Sequence, residues 1–175
     1  DPIAVMLDSL SRMMYFDKST LDITPNKYGF PIDSIPNYSD SIYSLHLAKL
    51  DAESPFDLVY NNTVRSYIEL YAVRKRAMVS RMMGMTQLYF PIIEEILDKH
   101  NMPLELKYLA IVESALNQNA RSRAGAMGLW QFMYGTGKMM GLKISSYVDE
   151  RCDPYKSTEA ACEYLQFLYD VFGDW

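Results

Sequence analysis

The spacing of apolar side chains along the chain predicts a series of amphipathic helices. Apolar residues recur every three or four positions in residues 1–17, 39–50, 61–100 and 154–172, which is the period of one helix face. Residues 18–38 instead combine three prolines with Asn and Gly, as is typical of an irregular connection. No β-rich pattern or internal repeat emerges, so the chain is predicted to be mainly α-helical.

Each predicted helix has an apolar face that is expected to pack inward. In residues 39–50 this face consists of Ile42, Leu45, Leu47 and Leu50. Within residues 61–100, Gly84 is expected to interrupt the helix and Pro91 to start or kink the next one. Asp153 is expected to cap the last helix. The packing face of that helix consists of Ala161, Tyr164, Leu165, Leu168 and Phe172.

A further helix is predicted for residues 103–116, where one carboxylate interrupts the apolar face. Pro103 is favoured in a first turn, and Glu105 complements the positive end of the helix dipole. The residues that share the face are Leu106, Leu109, Glu113 and Leu116. A carboxylate among apolar groups loses hydration in its charged form, which favours the protonated form that a general acid needs. The alternative is that Glu113 points into water or caps the following loop.

The segment that follows Glu113 contains no acidic residue up to position 148 and is locally basic. Its cations are Arg121, Arg123, Lys138 and Lys143. This segregation suits an anionic or hydroxyl-rich ligand. Gly125 and Gly128 permit close backbone approach, and residues 130–132 (Trp-Gln-Phe) offer flat apolar faces beside an amide, the groups that bind sugars. A glycine-rich turn whose aromatic rings enter the core explains the same residues equally well.

Several motifs in this region occur in an order that resembles a known family. Glu113-Ser114, the sequence AGAMGLWQFM at residues 124–133, and Gly135-Thr136 resemble the E-S and G-L-x-Q motifs of the lytic transglycosylases. These are lysozyme-like enzymes that cut bacterial peptidoglycan, and the resemblance is to the membrane-bound transglycosylase D branch in particular. It covers about the C-terminal half of the chain and implies a helical, lysozyme-like domain of the goose-type lysozyme and soluble lytic transglycosylase kind, which we assign to residues 56–175. The residue pattern before it predicts a helical arm and linker in residues 1–55.

The resemblance implies a catalytic role for Glu113. In the family this glutamate protonates the oxygen between N-acetylmuramic acid and N-acetylglucosamine, and then takes the proton of the muramoyl C6 hydroxyl as a 1,6-anhydro ring closes. One carboxyl group suffices, whereas a two-carboxylate glycosidase needs a partner about 5–9.5 Å away, for which Asp149 and Glu150 are candidates. The residues implied in substrate binding are Ser122, Gly128, Gln131, Met133 and Tyr134.

Two departures from the family pattern qualify this expectation. Tyr134 stands where the family usually has proline, which leaves the local turn open, and its ring could equally add an aromatic wall. In the family an A-A-Y-N-A-G motif follows the equivalent of GDW, and here nothing follows Trp175. The resemblance therefore implies a C-terminally incomplete catalytic domain with an open cleft and little activity on its own.

The implied partner is the glycan strand of peptidoglycan, in the periplasm or cell envelope, with the protein acting as a monomer. No apolar run approaches the ~20 residues that cross a bilayer, so any membrane attachment would come from a lipid anchor outside this chain. Two other functions stay open. One is a goose-type lysozyme that hydrolyses the same bond with water, and the other is a catalytically silent glycan-binding or scaffold module.

Composition excludes other classes of function. The 175 residues are 49% hydrophobic and 22% charged, with a net charge of -5, which is ordinary for a globular protein with a substantial core. The basic run at residues 74–76 is short and lies in an acidic chain, so it predicts a solvated face and no nucleic-acid partner.

Two histidines give no metal-ligand pattern with Cys152 and Cys162, and no cofactor is implied. Helical geometry separates those thiols by about 13–15 Å, so both are expected to be free.

Overall fold

The structure, a computed structural model, describes residues 29–31 and 34–175. The described residues form helices and a few isolated β-bridges, which confirms the prediction of a mainly α-helical chain. The chain divides into two units, Asp1–Asn37 and Tyr38–Trp175. The helix predicted for residues 1–17 and most of the connection predicted for residues 18–38 lie outside the described residues. The predicted domain boundary between residues 55 and 56 stays a prediction.

The second unit is a succession of helices joined by turns and one long loop. In chain order they are α1 (Asp40–Glu53), α2 (Asn62–Glu69), a π-helical turn (Leu70–Arg74), α3 (Arg76–Lys99), a 3-10 helix (Leu104–Tyr108), α4 (Leu109–Ser114), α5 (Tyr134–Met139), a short 3-10 helix (Glu150–Cys152) and α6 (Pro154–Phe172). The basic run at residues 74–76 is exposed, as predicted. In the described part of the chain, every helix is too short or too polar to cross a bilayer.

The prediction of an inward apolar face on α1 is wrong. Ile42, Leu45 and Leu50 are 38%, 57% and 56% exposed, and α1 contains no buried residue. Polar contacts tie the helix to its neighbour instead, since the Asp40 carboxylate accepts a hydrogen bond from Arg65 at 3.2 Å. Helical periodicity identifies an apolar stripe, but burial also requires a second surface to cover it.

Helix α3 runs through both Gly84 and Pro91. The predicted break at Gly84 is therefore wrong, and so is a new helix start at Pro91, whereas the alternative of a kink at Pro91 stays a prediction. An interior glycine costs about 1 kcal/mol relative to alanine, and an interior proline about 3 kcal/mol. Packing offsets these costs, because Ile93 and Leu97 in the same helix are completely buried and each contributes about 1.5–3 kcal/mol.

The core lies between the C-terminal half of α3, helix α6 and the loop that follows α4. Asp153 caps α6 by accepting a hydrogen bond from the Lys156 amide, as predicted. On the predicted packing face of α6, Ala161 is buried, but Phe172 is 75% exposed and its prediction is wrong. Residue 172 lies in the last turn of the helix, beyond the part that packs against the core.

Both cysteines are free thiols. Cys162 is completely buried in the core, where it packs as a small apolar residue, as the sequence predicts. Burial raises the pKa of its thiol to about 12. In the described residues, no group of three or more His, Cys, Asp and Glu side chains could bind a metal ion.

Candidate active site

A cleft of about 300 Å³ opens between α4, α6 and the loop that connects α4 to α5. It is lined by Leu109 and Glu113 of α4, residues 130–133 of the loop, Thr136 of α5, and Ala161, Tyr164, Leu165 and Leu168 of α6. Among these described lining residues, Glu113 has the one charged side chain. The cleft therefore combines a single carboxylate with a largely apolar wall.

Two larger grooves lie elsewhere on the second unit, with volumes of about 490 and 450 Å³. Residues 62–74 line the first and residues 71–83 line the second, so each groove follows one helical stretch of the chain. The cleft at Glu113 is built from four separate stretches, and it contains residues of both sequence motifs. Convergence of polar groups from separate elements is typical of a ligand site, which makes this cleft the candidate.

The prediction of one continuous helix over residues 103–116 is wrong. A 3-10 helix precedes α4, and α4 ends at Ser114, whose hydroxyl donates to the Ala110 carbonyl at 2.9 Å. Ala115 and Leu116 then adopt left-handed backbone conformations, with φ of 52° and 59°. This sharp turn directs Leu116 into the core, where it is completely buried.

Glu113 is exposed, so the expectation that its carboxylate is kept partly dry is wrong. The apolar stripe does not continue past it, because Leu116 reaches the core through the left-handed turn and not through helical spacing. The carboxylate nevertheless lines the cleft beside the loop. Within the described chain it makes no hydrogen bond or ion pair with protein, so it does not cap the loop either.

Ser122 and Gly128 lie within the hydrogen-bonded loop and not on the cleft wall. The Ser122 hydroxyl accepts a hydrogen bond from the Ala126 amide at 3.0 Å. Gly128 is buried, has φ of 84°, and donates its amide proton to the Ala120 carbonyl at 3.0 Å. A Cβ atom at Gly128 would lie 1.8 Å from the Arg151 carbonyl oxygen, so only glycine fits there. Both residues shape the loop, and their predicted contacts with substrate stay predictions.

Gln131 and Met133 line the cleft with Glu113, whereas Tyr134 does not. The Gln131 amide nitrogen donates to the carbonyls of Gly128 at 2.8 Å and Ala120 at 3.2 Å. Its side-chain oxygen has no protein donor among the described residues and is left as an acceptor. Met133 is 46% exposed at the cleft, while Tyr134 is 57% exposed at the first residue of α5.

The aromatic residues of the loop enter the core, which is the second of the two interpretations that their sequence allowed. Trp130 and Phe132 are 8% and 5% exposed. The Trp130 indole donates to the Thr158 hydroxyl of α6 at 2.9 Å, and the Phe132 ring meets the Tyr164 ring edge-on at 6.4 Å. Both residues also border the cleft, so their packing sets the position of Gln131 between them.

Backbone strain is concentrated at this site. Four non-glycine residues of the described chain have positive φ, and three of them are Ala115, Leu116 and Gln131. Left-handed conformations cost side-chain-bearing residues about 1–3 kcal/mol each and cluster at functional sites. Two of these residues follow Glu113 closely and the third is Gln131 itself, so the strain supports this cleft as the functional site.

Asp149 and Glu150, the candidates for a second carboxylate, are engaged outside the cleft. Asp149 forms two hydrogen bonds to the Arg151 guanidinium, which lower the pKa of its carboxyl. Glu150 accepts hydrogen bonds from the Lys156 ammonium and the Lys143 amide, and these lower the pKa of its carboxyl as well. The arrangement therefore fits a one-carboxylate site better than a two-carboxylate site.

Sequence reasoning missed Arg151. It is 6% exposed and contacts two loop carbonyls from the far side of the loop. In the sequence it lies in a run of charged residues, DERCD, which is typical of a solvated surface. The four basic residues of the predicted cationic segment, by contrast, are all exposed.

Comparison with known proteins bears on the same region. Residues 90–175 match the family Transglycosylase SLT domain. This segment, about half of the chain, is similar to the SLT family. The SLT domain is a lysozyme-like fold, which confirms the predicted fold class. All residues that line the cleft lie inside the matched segment.

Individual relatives match over a similar stretch. The chain is 47% identical over 78 residues to "Membrane-bound lytic murein transglycosylase D" of Escherichia coli strain K12, which covers 44% of this chain and 17% of that protein. The same values hold for the protein of that name in Escherichia coli O6:H1. A "Putative tributyltin chloride resistance protein" of an Alteromonas species is 37% identical over 89 residues, or 50% of this chain and 42% of that protein. The chain thus spans less than half the length of these relatives.

Proposed function

We propose that this SLT domain is the catalytic domain of a peptidoglycan lytic transglycosylase, with Glu113 as its acid and base. The observation that carries the proposal is the convergence of Glu113, Gln131 and Met133 in one cleft. These residues come from two separate motifs of the sequence. The match of residues 90–175 to the SLT family and the likeness to the lytic murein transglycosylases support the reaction class.

In the proposed reaction the Glu113 carboxyl proton is transferred to the oxygen that links N-acetylmuramic acid to N-acetylglucosamine. The bond from C1 to this oxygen breaks, and the N-acetylglucosamine end leaves as an alcohol. The muramoyl C6 hydroxyl oxygen then bonds to C1, and its proton returns to the Glu113 carboxylate. Atoms and charge balance without water, and the product carries a 1,6-anhydro ring. General acid–base catalysis of this kind contributes typically 10²–10⁴-fold to the rate.

The cleft offers complementary groups for such a substrate. The free side-chain oxygen of Gln131 can accept a hydrogen bond from a sugar hydroxyl or amide. Met133 and the half-buried Tyr164 and Leu165 provide apolar surface for the faces of the rings. The predicted contacts of Ser122, Gly128 and Tyr134 would require the substrate to extend beyond the cleft.

Purified peptidoglycan sacculi, incubated with the full natural length of the protein, provide the test. Mass analysis of the released muropeptides should find 1,6-anhydro ends, and Glu113→Gln should abolish their release while leaving sugar binding intact. The matched control is Glu95→Gln, which neutralises an exposed glutamate of α3 that does not line the cleft. Reducing ends in place of anhydro ends would identify a lysozyme-like hydrolase. Sugar binding without turnover in the unmodified protein would identify a silent module.

The proposal also assigns a place and a partner. The substrate would be the glycan strands of the cell envelope, on the periplasmic side, and the protein would act as a monomer. Recovery of activity in a periplasmic or envelope fraction would agree with this assignment, and recovery only in the cytoplasm would contradict it.

A further inference from the structure

An ion pair between a buried arginine and a partly buried aspartate lies against the loop that lines the cleft. The Arg151 side chain is 7% exposed, and the Asp149 carboxylate binds its Nε at 2.9 Å and its Nη2 at 2.6 Å. Such a two-point contact fixes the plane of the guanidinium. Arg151 is therefore oriented by a residue only two positions before it, independently of the loop.

The remaining guanidinium nitrogen contacts the loop at two positions, one before Gln131 and one after it. Arg151 Nη1 donates to the Gly125 carbonyl and to the Phe132 carbonyl, each at 3.1 Å. Gly125 precedes the turn that carries Gln131, and Phe132 follows it. One cation thus joins the two ends of the segment that presents Gln131 to the cleft.

Two glycines pack directly against Arg151. The backbone of Gly128 lies against the Arg151 carbonyl, and a Cβ at Gly137 would come within 3.2 Å of Arg151 Cδ. A buried charge is stabilising only when its hydrogen-bonding groups are satisfied. Here Asp149 and the two carbonyls satisfy all three guanidinium nitrogens, so the arrangement defines one position for the loop.

We propose that Arg151 is a positioning residue for the loop formed by residues 125–133, which we name the cleft loop, and that it acts on substrate through Gln131 and Met133. This inference rests on the proposed function for its effect on turnover, but its structural part does not depend on that function. Loss of the guanidinium removes the donor to the Gly125 carbonyl and leaves the Phe132 carbonyl with the Met127 amide alone, so the two ends of the cleft loop are no longer joined and the loop opens. A displacement of about 1 Å at a catalytic site can cost 10²-fold in rate.

The structural part is tested by hydrogen exchange in Arg151→Met and Asp149→Asn. The reporters are the amides of Met127 and Phe132, which bond reciprocally across the cleft loop at 3.1 Å. We expect their exchange to accelerate about tenfold to hundredfold in Arg151→Met, because hydrogen bonds to charged groups are worth roughly 1.5–3 kcal/mol, and less in Asp149→Asn. Core amides of α3 report global stability, and only acceleration beyond theirs counts. Equal acceleration in both regions would overturn the proposal.

The functional part is tested by kinetics on soluble glycan fragments. Arg151→Met should lower kcat by about tenfold to hundredfold per folded molecule, whereas the control Arg81→Met should not change it. Arg81 is an exposed cation of α3 that does not line the cleft. Unchanged kcat with an opened cleft loop would show that Arg151 stabilises the fold without positioning the site. If the unmodified protein shows no turnover, the proposed function fails, while the exchange experiment still decides whether Arg151 orders the loop.

Discussion

Gly128→Ala tests whether the cleft loop depends on close backbone contact with residue 151. At Gly128 the backbone has φ of 84°, and an added Cβ would lie 1.8 Å from the Arg151 carbonyl oxygen and 2.7 Å from its carbonyl carbon. Both atoms belong to the backbone, so rotation of a side chain cannot relieve the overlap. Alanine therefore forces either the cleft loop or residues 150–152 to move.

The expected loss of stability has two parts. A left-handed backbone costs an L-residue about 1–2 kcal/mol. Displacement of packed backbone by an extra methyl group typically costs a further 1–3 kcal/mol. The free energy of unfolding should therefore fall by about 2–5 kcal/mol in Gly128→Ala.

Gly125→Ala is the matched control, because it separates the contact from the conformation. Gly125 has φ of 86°, nearly the same as Gly128, but a Cβ there would meet no atom within 4 Å. It should lose only the conformational part, about 1–2 kcal/mol. The reduction in unfolded-state entropy that accompanies Gly→Ala is common to both variants and cancels in their difference. Urea unfolding measures both values, and equal losses in the two variants would refute the close contact with Arg151.

Three further predictions concern neighbouring residues. The partners of Glu150 lower the pKa of its carboxyl, so the carboxylate stabilises the fold at pH values above its ordinary pKa of 4.5 and loses this effect as the pH falls through its lowered pKa. The melting temperature of Glu150→Gln should therefore lie below that of the unmodified protein at pH 7 and approach it near pH 3. A difference in melting temperature that does not change with pH would contradict the pairing with Lys156. Ala115→Gly should raise the free energy of unfolding by up to about 1 kcal/mol, because glycine removes the left-handed strain at φ of 52°, and a loss in urea unfolding would argue against that turn. Tyr164→Phe should retain turnover on sacculi and Tyr164→Ala should reduce it, because the ring packs against Phe132; reduced turnover in both would assign a role to the hydroxyl.

The sequence predicts helices well where their ends carry local signals. Asp153 followed by Pro154 marks the start of α6, and Gly173 with φ of 74° marks its end, so its predicted bounds match the structure. The signals at Gly84 and Pro91 are equally local, but there the packing of α3 against the core determines the outcome. Propensity is a difference of a few kcal/mol, which tertiary contacts exceed.

The candidate site shows the same division between local and tertiary information. The motif residues Glu113, Gln131 and Met133 could be identified from the sequence, and they lie together in the cleft. The position of Leu116 could not, because its burial depends on two successive left-handed residues that no single propensity predicts. The burial of Arg151 could not be predicted from the sequence either, because a charged side chain is buried only where hydrogen-bond acceptors from distant segments surround it.

The exposure of Glu113 bears on how the proposed reaction would proceed. A general acid benefits from an environment that excludes water, and neither α4 nor the cleft loop supplies one in the free protein, since the side chain is exposed. The apolar wall formed by Leu109, Tyr164 and Leu168 lies in the same cleft. A glycan strand bound against that wall would cover the carboxylate, so the substrate itself would exclude water from it. Binding energy from sugars on both sides of the scissile bond would then contribute to kcat as well as to affinity. Shortening the glycan fragment should therefore lower kcat by a larger factor than it raises KM.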